Sequence, residues 1–381
     1  MGIATKTEGL TKSLIEILKE GKTKQIFLLE TASAQQQVQE KRVQVLFKDD
    51  ATAFNGEKHK IFPGKGRLNA QITALLMGAL TQVGIPTCFI ETDPSVPEGN
   101  ALIYQYGQMF PLEVVVRNQA LGSVCKRFGF EIGSPFKQPV IEYTYKSDQS
   151  GDPVLSGSMI PALSIFPASV KDPDVLLQLI AQWSLAANEW LVAIFGAVGI
   201  DCVDFKLEFG LNTAGELLLC DELSPDNFRL RDKTNGAILD KDCFRLDQGD
   251  LIEAYETVYN RLRGLFAQPD WQKKCLSSAN PMLQASTYQV RIHVARTAGL
   301  LHPESRAIES TLQQLGHQNI QTVLSNKTFD VTLNTPWMTE AITQANVLAR
   351  SVFSNPVIET ATVTVMPRWS HLQGSSTQES A

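Results

Sequence analysis

Residues 202 to 222 read CVDFKLEFGLNTAGELLLCDE, and this stretch decides the fold class. Val203, Phe205, Leu207 and Phe209 alternate with Asp204, Lys206 and Glu208, the period of a half-buried strand. Asn212 to Gly215 supplies turn residues, and Glu216 to Glu222 reads as a second strand. The spacing predicts a hairpin with one face in the core and Asp204, Lys206 and Glu208 together on the other. If it closes symmetrically, Asp204 lies opposite Asp221, although a bulge would shift the register. Carboxylates converging near one lysine repel each other unless a cation intervenes. Hard oxygen ligands shared with phosphates suit Mg2+. The competing reading is a solvated face of alternating charges.

Upstream of the hairpin, the pattern predicts a short helix over 10–19 and strands near 24–29 and 42–48. A loop at 49–66 leads to a helix over 68–83, followed by strands at 87–91, 102–106 and 112–117. Residues 130–172, scattered with Gly, Pro and Ser, read as a long functional loop. Helices are expected at 175–195 and 251–262. Strands come first and helices later, so the block is α+β rather than doubly wound.

Beyond residue 265, FAQPDWQKKCLSSANPMLQAS (residues 266–286) has no sustained periodicity and reads as a linker. Residues 287–366 form a second patterned block. Tyr288, Val290, Ile292 and Val294 alternate with polar residues. Pro303 suits a first helical turn, and Gly316 stops that helix. Residues 320–324 read as a short strand, then strand, helix and strand follow. The order β-α-β-β-α-β is that of a ferredoxin-like unit. His293 and His302 stand singly and read as surface or strand-face residues. Residues 367–381, rich in Ser, Gln and Thr, are expected to be disordered.

The chain has 381 residues, 43% of them hydrophobic, and a formal net charge of -6. That balance argues against a general nucleic-acid binder. No apolar run approaches the roughly 18 residues of a transmembrane helix. The first twelve residues carry no apolar signal core, so a cytoplasmic protein is expected. Its six cysteines are scattered without a Cys-x-x-Cys pair, which reads as reduced thiols and no zinc site.

Two glycine-lysine stretches are decoys. Gly21-Lys22-Thr23 lacks the earlier glycine of a phosphate-binding P-loop, since position 16 is Glu. Gly64-Lys65-Gly66 lacks the third glycine of a dinucleotide fingerprint. Glu20-Gly21-Lys22-Thr23-Lys24 is more informative, because a glycine turn leads into a strand with two lysines on one face. Such a turn can cover a triphosphate, although a solvated lysine pair gives the same pattern. Arg117-Asn118, Gly122-Ser123 and Lys126-Arg127 end a strand and open a helix, a natural anion site. Arg229, Arg231 and Arg245 follow the acidic cluster. Together these groups suit a phosphorylated, carboxylated substrate plus a nucleotide.

Five motifs in order, EGKTKQIF, DDATAFNGEK, VVVRNQALGSVCKR, DFKLEFG and DELSPDNFRL, make the first block, residues 1–265, resemble the phosphoribosylaminoimidazole-succinocarboxamide synthases (SAICAR synthetases) over about residues 10–265. Residues 287–366 resemble the small accessory subunit of formylglycinamidine ribonucleotide synthetase. The carriers there are YQVRIHV, LLHPESRAIESTLQQLG, NKTFDVTL and NPVIE; His302-Pro303-Glu304-Ser305 stands where that family usually shows Asp-Pro-Gln-Gly.

The first resemblance implies a two-lobed α+β fold with an ATP cleft reminiscent of protein kinases. It implies an ATP- and Mg2+-dependent ligase joining L-aspartate to carboxyaminoimidazole ribonucleotide through an acyl phosphate. By the same resemblance, Lys22 and Lys24 contact the ATP phosphates, and Met109 and Leu112 lie in the adenine-binding linker. Lys146 and Asp148 match a Lys-x-Asp beside the nucleotide. Glu208 and Asp221 match the Mg2+ carboxylates, with Lys206 beside them and Asp204 in the same pocket. Arg117, Ser123 and Arg229 match positions that hold the ribonucleotide, Arg245 resembles a late arginine near the substrates, and Glu57 is a candidate contact of the ribonucleotide or its metal. Lys206, Asp204 and Arg229 are the expected catalytic group.

The second resemblance implies an accessory module that associates with itself and with the large and glutaminase subunits of that synthetase. No membrane or nucleic-acid partner is expected. The alternative is a decayed ligase serving as a scaffold. Unpaired buried charges are costly and are lost first in decay, yet every alignable charged position is filled. A protein-kinase reading is disfavoured by the absence of an HRD-type catalytic loop or DFG.

Overall fold

A computed structural model describes residues 13–30, 41–53, 56–147, 150–279 and 287–368. Two compact units divide after Asn280. Among the described residues, no helix is long and apolar enough to cross a membrane.

The first unit opens with β1 (Ser13–Glu20), β2 (Lys24–Glu30) and β3 (Arg42–Phe47). The hairpin β4 (Asp50–Ala53) and β5 (Lys58–Ile61) follows, then α1 (Lys65–Gln82), β6 (Phe89–Thr92) and β7 (Ala101–Gln105). One antiparallel sheet runs in the order β1-β2-β3-β7-β6. The helix expected over 10–19 is instead β1 from Ser13 onward. Its register against β2 slips between Leu14 and Glu16 and again between Ile17 and Lys19. Those two irregularities break the period of two, so the apolar residues fall at a spacing that imitates a helix.

The second sheet is built from β8 (Gly107–Gln119), β9 (Pro135–Tyr145), β10 (Val154–Leu155), β11 (Ile200–Asn212), β12 (Leu217–Cys220) and β13 (Phe228–Asp232). The order is β10-β9-β8-β11-β12, and β13 pairs with β11. Its helices are α2 (Ser123–Phe128), α3 (Met159–Ala162), α4 (Pro173–Ala197), α5 (Asp242–Arg245), α6 (Leu251–Phe266) and α7 (Trp271–Ser278). The expected long loop at 130–172 contains β9, paired with β8 from Leu112↔Tyr145 to Arg117↔Val140. Most of its side chains are half-buried, so the apolar contrast between its faces is weak, and two prolines mask the strand further.

Asp172 caps α4 through Val175 N at 3.0 Å, and Pro173 fixes the first turn. Ile180, Leu191, Ile194 and Phe195 are then fully buried, each contributing roughly 1.5–3 kcal/mol relative to exposure. The stretch read as a linker is helical at α7. Trp271 meets Trp190 of α4 with ring centroids 5.9 Å apart, and Cys275 is wholly buried. One apolar pair at i, i+4 is too short a pattern to register as periodicity. Residues 280–286 of that stretch lie outside the described residues.

The second unit comprises β14 (Thr287–Arg296), α8 (Pro303–Gln314), β15 (Lys327–Leu333), α9 (Met338–Leu348) with a π-turn over Ala349–Phe353, and β16 (Glu359–Arg368). The sheet order is β15-β14-β16. Tyr288, Val290, Ile292 and Val294 are buried as their alternation predicts. His302 caps α8, its Nδ1 accepting from Ser305 N at 3.2 Å. Residues 320–324 are not a strand. The amides nearby are satisfied by side chains of α8 instead, Val323 N by Glu309 Oε1 at 2.7 Å and Ser325 N by Ser305 Oγ at 2.9 Å. Of the tail expected from 367, Pro367 and Arg368 are instead strand and pair with Tyr288 and Thr287. The remainder lies outside the described residues.

Candidate active site

The two sheets of the first unit meet where Thr87 bridges Leu219 and the Tyr104 hydroxyl donates to Asp221 O at 2.8 Å. Charged side chains collect along this seam. On β11, Val203, Phe205, Leu207 and Phe209 fill the core, which aims Asp204, Lys206 and Glu208 the other way. Lys206 Nζ lies 2.9 Å from Glu113 Oε1, 2.8 Å from Glu208 Oε1 and 3.9 Å from Asp221 Oδ2. Lys146 Nζ is 2.6 Å from both oxygens of Glu208. From the first sheet, Gly21 N bonds Lys24 O at 2.8 Å and closes the β1–β2 turn. Lys24 then reaches across to pair with Asp221, and with Glu222 at 3.0 Å.

Burial pushes the Asp221 carboxyl up, but the ammoniums of Lys24, Lys206 and Lys146 outweigh it and hold the group well below the carboxylate range. Burial pulls Lys24 and Lys206 down, and the surrounding carboxylates more than reverse that. Every member of this cluster with a displaced pKa is therefore charged at neutral pH. Asp221 holds a φ of 63°, a left-handed conformation uncommon outside glycine and often found at working sites.

The register differs from the symmetric closure expected of the hairpin. Glu208 pairs with Cys220, so Asp221 falls just past the ladder, beside Glu208 rather than opposite Asp204. Asp204 instead faces Arg117 of β8 and Arg229 of β13. Its Oδ2 accepts from Arg117 Nη1 at 2.9 Å and Arg229 Nη1 at 2.8 Å. Burial raises the Asp204 carboxyl, and the two guanidiniums partly reverse this. Arg117 also holds Glu142 at 2.5 Å and Ser123 Oγ at 3.3 Å. Arg245 pairs with Asp242 at 2.8 Å.

A cavity of about 340 Å3 opens among these groups, lined in part by Arg117, Asp204, Lys206, Arg229, Lys241 and Arg245. Its cations outnumber its acids, so it suits a multiply charged anion. The seam therefore unites Lys24, Lys146, Lys206, Glu208 and Asp221 at an acidic cluster, and Arg117, Ser123, Asp204, Arg229 and Arg245 at a guanidinium cluster.

Other expected residues stand apart. Lys22 is exposed on the glycine turn. Met109 is 42% exposed, whereas Leu112 is buried on the face of β8 opposite Glu113, so alternation keeps its side chain in the core. Glu57 is exposed at the β4–β5 turn; the adjacent Lys58 bonds Phe244 O of α5 and the Asp247 carboxylate just after it, both at 2.6 Å and on either side of Arg245. Asp148 lies outside the described residues.

The sequence reading missed the group around Asp226. Asp226 accepts from Lys65 at 2.7 Å and from the Tyr255 hydroxyl at 2.6 Å. Lys65 sits in the Gly64-Lys65-Gly66 stretch, which lacks the third glycine of a dinucleotide fingerprint. The available signal was a lysine opening a helix whose next residues, Leu68, Ile72 and Leu76, are apolar.

Gly122 also belongs to the site. Its φ of 74° and ψ of -128° suit only glycine, and a Cβ there would stand 2.6 Å from Arg229 Nη2. Gly122→Ala is expected to displace Arg229 and raise the KM of the anionic substrate held there roughly tenfold, the worth of one charge-assisted contact. Steady-state kinetics with that substrate varied checks this.

The family model described as SAICAR synthetase matches residues 17–262. The chain belongs to the SAICAR synthetase family. Its first unit carries SAICAR synthetase function, a ligase activity. A SAICAR synthetase of Shouchella clausii is 43% identical over 251 residues, 66% of this chain and 98% of that protein. One from Bacillus cereus is 42% identical over the same length. Among solved SAICAR synthetases, that of Ehrlichia chaffeensis shares 38% identity with a TM-score of 0.58, covering 65% of this chain and 98% of its own. Another, a complex with ADP, shares 39% identity with a TM-score of 0.57 over the same shares. A second family model, PurS, described as phosphoribosylformylglycinamidine (FGAM) synthase, matches residues 289–367, so the second unit is PurS-like.

Proposed function

We propose that the seam couples L-aspartate to carboxyaminoimidazole ribonucleotide through an acyl phosphate, using ATP. Lys206 carries this reading, since it stands where the acidic cluster meets the cation-lined cavity. A carboxylate is a poor acyl donor because its leaving group would be oxide. Attack of a ribonucleotide carboxylate oxygen on the γ-phosphorus forms a C–O–P link and breaks the γ-phosphate's bond to ADP. The neutral aspartate amine then attacks the acyl carbon. The carbon–oxygen bond to phosphate breaks, phosphate leaves with both bond electrons, and the amine proton passes to solvent. Such a sequence needs charge neutralisation and alignment rather than a protein nucleophile.

Lys24, Lys146 and Lys206 balance the phosphate charge, while Arg117, Ser123 and Arg229 hold the ribonucleotide at the guanidinium cluster. Glu208 and Asp221 would hold Mg2+. Among the described residues no group of three or more His, Cys, Asp or Glu side chains is placed to hold a metal ion by itself. Two carboxylates, with the remaining positions left to phosphate oxygens and water, fit a cation that binds in that way. When bound, Mg2+ supplies positive charge to the phosphate oxygens as the phosphoryl group moves.

Two arms test the reading. Product formation from ATP, the ribonucleotide and aspartate is expected with Mg2+ and lost with chelator. Ribonucleotide labelled with heavy oxygen in its carboxylate is expected to place one labelled oxygen in the released phosphate. Label-free phosphate would exclude the acyl phosphate.

We further infer that the PurS-like unit docks the chain onto the large and glutaminase subunits of formylglycinamidine ribonucleotide synthetase. Its match to PurS supports this, and co-elution of the chain with those subunits tests it.

A further inference from the structure

Two lysines share one carboxylate on the cavity wall. Asp226 commits Oδ2 to Lys65 and Oδ1 to the Tyr255 hydroxyl. Lys241 Nζ lies 3.6 Å from that same Oδ2, too far for a hydrogen bond. Lys65 is 0% exposed; Lys241 is 8% exposed and lines the cavity, so it alone of the pair can meet a ligand. The other cations of the cavity are better served. Arg117, Lys206, Arg229 and Arg245 each hold a carboxylate at 2.5–2.9 Å. A nearly buried ammonium with no hydrogen-bond acceptor among the described residues is costly unless an anion completes it. Burial lowers the pKa of Lys241, with Asp226 opposing and Lys65 and Arg245 adding to the fall.

Its position selects the anion. Lys241 precedes α5, and Arg245 N bonds Lys241 O at 3.1 Å, which places the two side chains on one face. An ammonium beside a guanidinium matches a planar carboxylate. Glu222, which pairs with Lys24 of the acidic cluster, and Arg245 both act electrostatically on Lys241. Lys241 and Arg245 thus line one cavity, with Glu222 within electrostatic reach of Lys241. With Arg117 and Arg229 assigned to the ribonucleotide, Lys241 and Arg245 are the lining cations left for the amine nucleophile, which carries two carboxylates of its own.

We propose that Lys241, with Arg245, receives a carboxylate of the amino-acid substrate and so sets the apparent affinity for L-aspartate, an inference that rests on the ligase reading above.

The test is steady-state kinetics on the full chain, with each of the three substrates varied in turn. Lys241→Met is expected to raise the KM for aspartate about 10- to 100-fold, the loss of one charge-assisted hydrogen bond, and to leave the other two KM values within about threefold. Lys241→Arg, which keeps the charge, is expected to recover part of that affinity. Removing the surplus cation leaves Lys65 and Asp226 matched one to one, so the unfolding midpoint is expected to hold. An unchanged KM for aspartate, a rise in all three, or a loss confined to kcat would overturn the proposal. An inactive wild type would overturn the ligase reading itself, whereas an active wild type with an unmoved aspartate KM sinks this inference alone.

Discussion

Lys206→Met is expected to lower kcat/KM of the ligase reaction by about 10²- to 10³-fold, the loss typical of a preorganised group facing developing charge. Lys206 is the central cation of the seam, within 3 Å of Glu113 and Glu208 and 3.9 Å from Asp221. Without it these three acids repel one another and any incoming polyphosphate. Lys24 and Lys146 remain, but each serves a flank of the cluster. Arginine is no simple substitute, because its planar fork does not fit a point-charge position between acids on neighbouring strands. Initial rates at saturating and limiting substrate check this, with circular dichroism confirming the fold. Activity within tenfold of wild type would remove Lys206 from the mechanism.

Asp226→Asn is expected to carry the largest stability loss, about 3–5 kcal/mol, the cost of breaking a buried ion pair from one side. Lys65 is wholly buried, and its ammonium would keep only a neutral amide, with Lys241 close by. Burial pushes the Asp226 carboxyl up, but Lys65 and Lys241 outweigh it and hold the group well below its ordinary value. A depressed folded pKa stabilises the fold above the unfolded value of about 4 and ceases to do so as pH falls toward the folded one. The wild type should therefore lose stability in acid below about pH 4, and the variant should lack that component. Denaturant titration of the first unit's transition at neutral and acid pH measures both. A shift below about 1 kcal/mol at neutral pH would show that the site relaxes without its acid.

The sequence made the chemistry of the seam legible where polar residues alternate with a strongly apolar core. Val203, Phe205, Leu207 and Phe209 left no other face for Asp204, Lys206 and Glu208. What a single strand cannot reveal is which neighbours flank it. That Asp204 meets Arg117 and Arg229, rather than Asp221, depends on pairing β11 with β8 and β13 across long stretches of chain. Local irregularity hid β1, and weak burial hid β9. Lys65 and Asp226 escaped because each looks ordinary alone, and only the packing of α1 and α6 around the Ser224–Asn227 turn brings them together with Tyr255. The order of the second unit was readable except at 320–324, where side chains of α8 took backbone amides that a strand partner would otherwise serve.

The lysines of the seam are not waiting bare for phosphate. Lys24, Lys146 and Lys206 rest on Asp221, Glu222, Glu208 and Glu113, so the protein supplies its own counterions. On the function proposed above, nucleotide entry would be an exchange of partners, in which phosphate oxygens displace the carboxylates from the three ammoniums. Affinity gained by exchange depends on the small difference between two well-matched arrangements, not on the full attraction of three ammoniums for a polyphosphate. Ionic strength, which screens net attraction far more than it disturbs close pairs, should accordingly weaken nucleotide binding less than the number of lysines suggests.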